Sequence, residues 1–165
     1  MARARAAFHV ARCEDTVYVR VSGLATMHNA MTFRAFAERM AAEGFRRCLV
    51  DLAPCQGVDS TFMGVLVGLR EHFGRERLVL LNPSPHCMDQ MTSVGLNHLL
   101  TFADSPCALP ADVELTPLPD SEVGTRERLE LMRKAHRNLV AIDRRNRDKF
   151  GPFLDALDAQ LGHGG

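Results

Sequence analysis

The chain contains no tryptophan and a single tyrosine, carries no formal net charge, and holds no long apolar run. Its 20 basic residues are balanced by 20 acidic ones, so no global field draws in nucleic acid or anionic lipid, and no direct nucleic-acid partner is expected. No uncharged apolar stretch is long enough to cross a bilayer. The basic start, Met1-Ala-Arg-Ala-Arg-Ala-Ala7, resembles a secretory n-region, but His9, Arg12, Glu14 and Asp15 interrupt what would be the apolar core. A cytoplasmic protein with no membrane partner is expected. The five cysteines (Cys13, Cys48, Cys55, Cys87, Cys107) are scattered and form no Cys-x-x-Cys pair. They read as reduced, mostly buried small hydrophobes.

Signatures of catalysis are missing too. The seven histidines never fall at metal-binding spacing, and there is no nucleotide-binding glycine loop and no Gly-x-Ser-x-Gly. His136-Arg-Asn-Leu139 echoes a kinase catalytic loop, but Asn138 stands where an aspartate is needed and the companion motifs are absent, so the match is read as chance. Asp51 and Asp59 lie near no evident base. No catalytic residue, metal or cofactor is expected, and the chain reads as a binding module rather than an enzyme.

What is present is a folded α/β pattern: 46% of the residues are hydrophobic. Thr16-Val-Tyr-Val-Arg-Val-Ser22 is β-branched and aromatic and predicts a strand ending at Gly23, with Phe8 to Ala11 as its antiparallel partner. Met31, Phe33, Phe36, Ala37 and Met40 recur at helical spacing, with Gly44 as the stop. Cys48-Leu-Val-Asp-Leu52 and Leu78-Val-Leu-Leu81 suit buried strands. Pro54 to Asp59 reads as a loop, Thr61 to Phe73 as a helix closed by Gly74, and Pro85 to Ser93 as a short helix. Strands alternating with helices over short connections describe βαβ units. The fold class is therefore α/β: a small, mixed, mostly parallel sheet packed with helices, plus C-terminal helices. Residues 1–103 form the body, 104–121 an extended linker and 122–165 a helical extension. The extension shows stripes at Leu129, Met132, Leu139 and Ile142, and at Phe150, Phe153, Leu154, Leu157 and Leu161.

The loop Ala53-Pro-Cys-Gln-Gly-Val-Asp-Ser-Thr61 delivers Asp59, Ser60 and Thr61 to a helix start. One of them is expected to be the N-cap. A phosphate on Ser60 would also be tolerated there by free N–H groups and the helix dipole. Phe62, Leu66, Leu69 and Phe73 share the core face of the helix, with Val65 at its edge. Gly64, Val67 and Gly68 project to the other side, either as a flat, exposed surface for close approach or beneath a neighbouring helix of the same domain.

Asp59-Ser-Thr-Phe-Met-Gly-Val-Leu66, preceded by Cys48-Leu-Val-Asp-Leu52, resembles the phosphorylation-site motif of STAS domains of the anti-sigma-factor-antagonist type. Pro85-His-Cys-Met-Asp-Gln-Met-Thr-Ser-Val-Gly-Leu96 looks like the second signature, and Val21-Ser-Gly23 sits where the first strand of such domains ends. The likeness spans roughly Phe8 to Phe102. It departs from the family at Gly23-Leu-Ala-Thr26, which lacks the usual acidic residues. The resemblance implies a phosphorylation-switched module in a partner-switching pathway, bound by a serine-kinase anti-sigma factor. Ser60 would be the phosphoacceptor, and Asp59, Ser60, Thr61, Met63, Gly64, Val67 and Gly68 the partner-binding residues. The rival is an accessory STAS subunit of a transporter or lipid-trafficking complex that binds without phosphorylation. For the C-terminal stripes the expected cover is the chain's own body, ahead of a homodimer formed through these helices.

Overall fold

The computed structural model describes residues 7–104 and 108–163; the basic segment 1–6 and Cys107 lie outside the described residues. The chain opens on a hairpin of β1 (Ala7–Cys13) and β2 (Thr16–Ala25), antiparallel in register from Ala7–Ser22 to Cys13–Thr16. Helix α1 (Ala30–Ala42) follows, then β3 (Arg47–Asp51), β4 (Cys55–Val58), α2 (Ser60–Phe73) and β5 (Leu78–Leu81). Two short helices, α3 (Pro85–Ser93) and α4 (Leu96–Leu99), lead to β6 (Thr101–Phe102). The rest holds β7 (Thr116–Pro117) and two long helices, α5 (Thr125–Ile142) and α6 (Arg145–His163). No helix among the described residues is long and apolar enough to cross a membrane.

The sheet runs β6-β5-β3-β2-β1-β7, with β4 paired to β2 off that path. β2–β3, β2–β4, β3–β5 and β5–β6 are parallel, while β7–β1 and β1–β2 are antiparallel. The mixed, mostly parallel α/β expectation holds. Two local expectations are corrected. β2 does not end at Gly23: that glycine takes φ +78° at a register shift, and the strand turns there to run on to Ala25. The stretch after Pro54 is not all loop, because the redirected end of β2 offers backbone partners to Cys55, Gly57 and Val58. Sequence patterning could not show this, since a bulge in one strand created the edge that the other joined.

The core lies between the sheet and the α1–α2 layer. The rings of Phe8, Phe33 and Phe62 stack there at centroid distances of 5.1–6.4 Å. Val17, Val19, Val21, Val50, Leu66 and Leu80 are buried around them. Of the four described cysteines, Cys48, Cys55 and Cys87 are buried and Cys13 is exposed, and none is in a disulfide. Burial drives the Cys48 thiol up to about 12, so it stays protonated and serves as packing. The segment after Phe102 is more than a linker: β7 adds two residues to the sheet edge, and Leu118 N–H donates to the Phe8 carbonyl at 2.8 Å.

Helix α2 is buried on both sides. Nine of its fourteen residues are inaccessible, which one covered face cannot accommodate. α1 and the sheet cover one side. α5 lies along the other, and α6 packs on α5.

Candidate functional site: the start of helix α2

Asp59 caps α2. Its backbone is extended (φ −102°, ψ 176°), and Oδ1 accepts from the N–H of Phe62 at 2.9 Å. Oδ2 accepts from the N–H of Met27 at 2.8 Å, and the Asp59 N–H donates to the Ala25 carbonyl at 3.0 Å. One carboxylate thus ties the β2–α1 loop to the first turn of α2. Asn29 stiffens that loop, accepting from Thr26 N–H and donating to the Leu24 carbonyl. On the other side Gln90 of α3 accepts from the Val58 N–H at 2.9 Å. The segment leading to Ser60 is therefore fixed at three points.

Ser60 is the first residue of α2 and is half-buried. Its hydroxyl is not free, as Oγ lies 2.8 Å from Nε2 of His136 on α5. His136 Nδ1 is 2.6 Å from the Met132 carbonyl. That carbonyl can only accept, so Nδ1 carries the proton, and neutral Nε2 takes the Ser60 O–H. The imidazole is buried and meets the edges of Phe150 at 5.1 Å and Phe153 at 4.8 Å. Desolvation lowers its pKa, outweighing the opposing effects of the Met132 carbonyl and the Asp59 carboxylate.

Of the two readings open for Gly64, Val67 and Gly68, the structure fits the second: they lie beneath a neighbouring helix of the same chain rather than on an exposed face. Gly64 and Val67 are buried and Gly68 is half-buried, all on the side that α5 covers. A Cβ built on Gly64 would stand 2.1 Å from the Ala135 carbonyl oxygen, and one on Gly68 would meet Asn138 Nδ2 at 3.1 Å. Asn138 also donates to the Gly64 carbonyl at 3.1 Å. The glycines do serve close helix approach, but the helix belongs to the same chain. Thr61 and Met63 are buried as well. The C-terminal helices thus lie on the body of their own domain. The face of α5 that reaches α2 is Leu131, Ala135, His136 and Leu139, while Leu129 and Met132 are only half-buried. On α6, Leu157 and Leu161 are buried, but Phe153 remains 39% exposed.

Sequence reasoning missed His136 because its partner is 76 residues away. The one available signal was a histidine set in the stripe of an amphipathic helix. Asp51 also gains a role: buried, it accepts from Arg20 Nε at 3.1 Å, Asn82 Nδ2 at 3.1 Å and the Ala53 N–H at 3.0 Å, which anchors the turn leading into β4. No cluster of His, Cys, Asp or Glu fit to hold a metal ion occurs among the described residues.

Comparison with known proteins places this geometry. The STAS-domain family described as "Mlab, STAS domain" matches residues 8–101, more than half of the chain, and the chain belongs to that family. Among solved structures it is similar to the anti-sigma factor antagonist SpoIIAA in its unphosphorylated form (TM-score 0.52, 23% identity, 58% of this chain and 87% of that one). It is also similar to an anti-sigma factor antagonist from Mycobacterium paratuberculosis (0.55, 18%, 61% and 87%) and to a putative one from Thermotoga maritima (0.52, 16%, 59% and 86%). At these identities the likeness is one of fold. No curated protein matches. The family match ends before α5, so the helices covering Ser60 lie outside it.

Proposed function

We propose that the chain is a phosphorylation-switched binding module, an anti-sigma-factor antagonist acting in the cytoplasm, with Ser60 as its phosphoacceptor and a serine-kinase anti-sigma factor as its partner. The observation that carries this is the position of Ser60: a hydroxyl at the first residue of a helix, directly after a carboxylate that fixes the backbone on both sides. Free N–H groups and the helix dipole favour an anion there, so the domain survives modification and the added charge acts on the partner. Solved structures of similar fold carry the name anti-sigma factor antagonist. The module turns over no substrate. Asp59, Thr61, Met63, Gly64, Val67 and Gly68 complete the proposed partner-binding set around Ser60; of these, Thr61, Met63, Gly64 and Val67 are buried in the chain as it stands.

A phosphate adds roughly −1.5 to −2 charges. Against a partner carboxylate about 4 Å away, at an effective dielectric near 20, each charge costs about 4 kcal/mol. That is about a thousandfold in affinity. Incubation with ATP and the kinase should add one phosphoryl group by intact mass, and Ser60→Ala should abolish the addition while retaining the complex. A phosphoryl group still gained by Ser60→Ala would move the acceptor to Thr61 or elsewhere.

A second reading, an accessory STAS subunit of a transporter or lipid-trafficking complex, draws support from the engagement of the Ser60 hydroxyl by His136. A partner bound stably by wild type, with no mass change under ATP and no effect of Ser60→Ala, would select it.

A further inference from the structure

The α5–α6 hairpin sits where any partner of Ser60 must sit. The Ser60 hydroxyl donates into a buried imidazole at 2.8 Å, and no phosphoryl group fits along that line. Just beyond, the Gly64 backbone is so close to Ala135 that even a methyl group is excluded. A second helix cannot be laid on this side of α2 while α5 is there.

The apolar part of the seam holding the hairpin is continuous with the core, with Ile142 and Phe150 packed against it, but polar contacts run beside it. Leu131, Ala135 and Leu139 supply that apolar part. The remainder is polar: His136 to Ser60, Asn138 to the Gly64 carbonyl, and Asn146 Nδ2 to the Val94 carbonyl at 3.0 Å, while its second bond, to the Leu139 carbonyl, lies within the hairpin. Lys149 reaches the Ser93 carbonyl as well. Asn146 is fully buried, yet its Oδ1 has no hydrogen-bond partner, which is a desolvation cost borne only in the docked state. A partly polar seam with an unsatisfied acceptor opens at lower free energy than a packed apolar core.

Resting on the proposed reading of Ser60, we infer that the α5–α6 hairpin is a built-in competitor for the partner face: the closed chain hides Ser60 and Gly64, and the kinase binds only the form in which α5 has lifted. Closure and kinase binding exclude one another, so each weakens the other by the same factor. The hairpin lowers apparent affinity by the fraction of chains that are open.

The test uses the full-length chain with Cys13→Ser and Cys107→Ser. Adding Gly95→Cys and Asp143→Cys, where a Cβ on Gly95 would lie 3.4 Å from the Asp143 Cβ, creates a lock outside the proposed partner face. Oxidised, it should be phosphorylated and bound by the serine-kinase anti-sigma factor at least about tenfold less than the same protein reduced, because minor open states of ~0.1–10% are thereby removed. In the opposite direction, Ala135→Arg should lift α5, seen as faster amide exchange in α5, and raise phosphorylation about tenfold or more. Equal phosphorylation of the oxidised and reduced lock overturns the inference while leaving Ser60 as the switch. A lock that oxidises only to a covalent dimer also overturns it, since α5 would then come from a second copy. If the reduced lock, Ala135→Arg and wild type all bind the kinase yet none is phosphorylated, both the inference and the phosphoswitch reading fall.

Discussion

Asp59, Ser60 and His136 each do something their neighbours in sequence do not reveal. Asp59 spends both carboxylate oxygens on backbone N–H groups of separate segments. Asp59→Ala should therefore cost more than the roughly 0.5–2 kcal/mol of an ordinary lost cap, because the Met27 amide loses its acceptor too. Urea unfolding reads this directly, and a loss below about 0.5 kcal/mol would mean that the loop relaxes onto water. His136 makes hairpin docking pH-dependent. Its pKa is depressed from the ordinary 6.5 by burial, with Asp59 across the seam opposing the shift. The undocked form thus binds more protons than the docked form below that value. Docking is fully favourable above pH 6.5, weakens as pH falls through 6.5, and loses nothing further once the docked histidine itself is protonated. Amide exchange in α5 followed from pH 7.5 to 5 should show the rise, and His136→Gln should flatten it.

Among the elements, α2 is the one whose surroundings set the sign of a mutation. In an exposed helix, Gly64→Ala would stabilise by about 1 kcal/mol. Here the added methyl would meet the Ala135 backbone, so calorimetry should show a lower melting temperature. The same reasoning makes Val67→Glu a destabilising change, since Val67 is buried and a carboxylate there would lose its hydration. Stabilisation by Gly64→Ala would show that α5 is not seated on α2 in solution. Leu139 on α5 is fully buried, and Leu139→Ala should cost about 2–5 kcal/mol of docking free energy, read as faster exchange in α5 and α6 with the sheet amides unchanged.

At the scale of the whole molecule, sheet, inner helices and outer hairpin form three layers, and the middle one carries the site. Much of the first two layers was legible in the residues. The strands around Val19, Val50 and Leu80 and the helices built on Phe33 and Phe62 follow from short-range periodicity, and a cap among Asp59, Ser60 and Thr61 follows from their chemistry, while the choice of Asp59 came from the structure. The glycines at 64 and 68 announced a close approach. Whether a partner or the chain itself made that approach was not written in α2. The C-terminal stripes showed that the helices needed cover but not which surface would supply it. The α5 stripe holds at Leu139 but not at Leu129 and Met132, because Leu131, small Ala135 and polar His136 are the other buried residues of that helix. What the sequence determined by itself was local: periodicity, caps and turns, all fixed by interactions within a few residues. Only the tertiary structure decided that Ser60 lies under His136, because a contact across 76 residues depends on how two faces fit, and many registers satisfy the same apolar pattern.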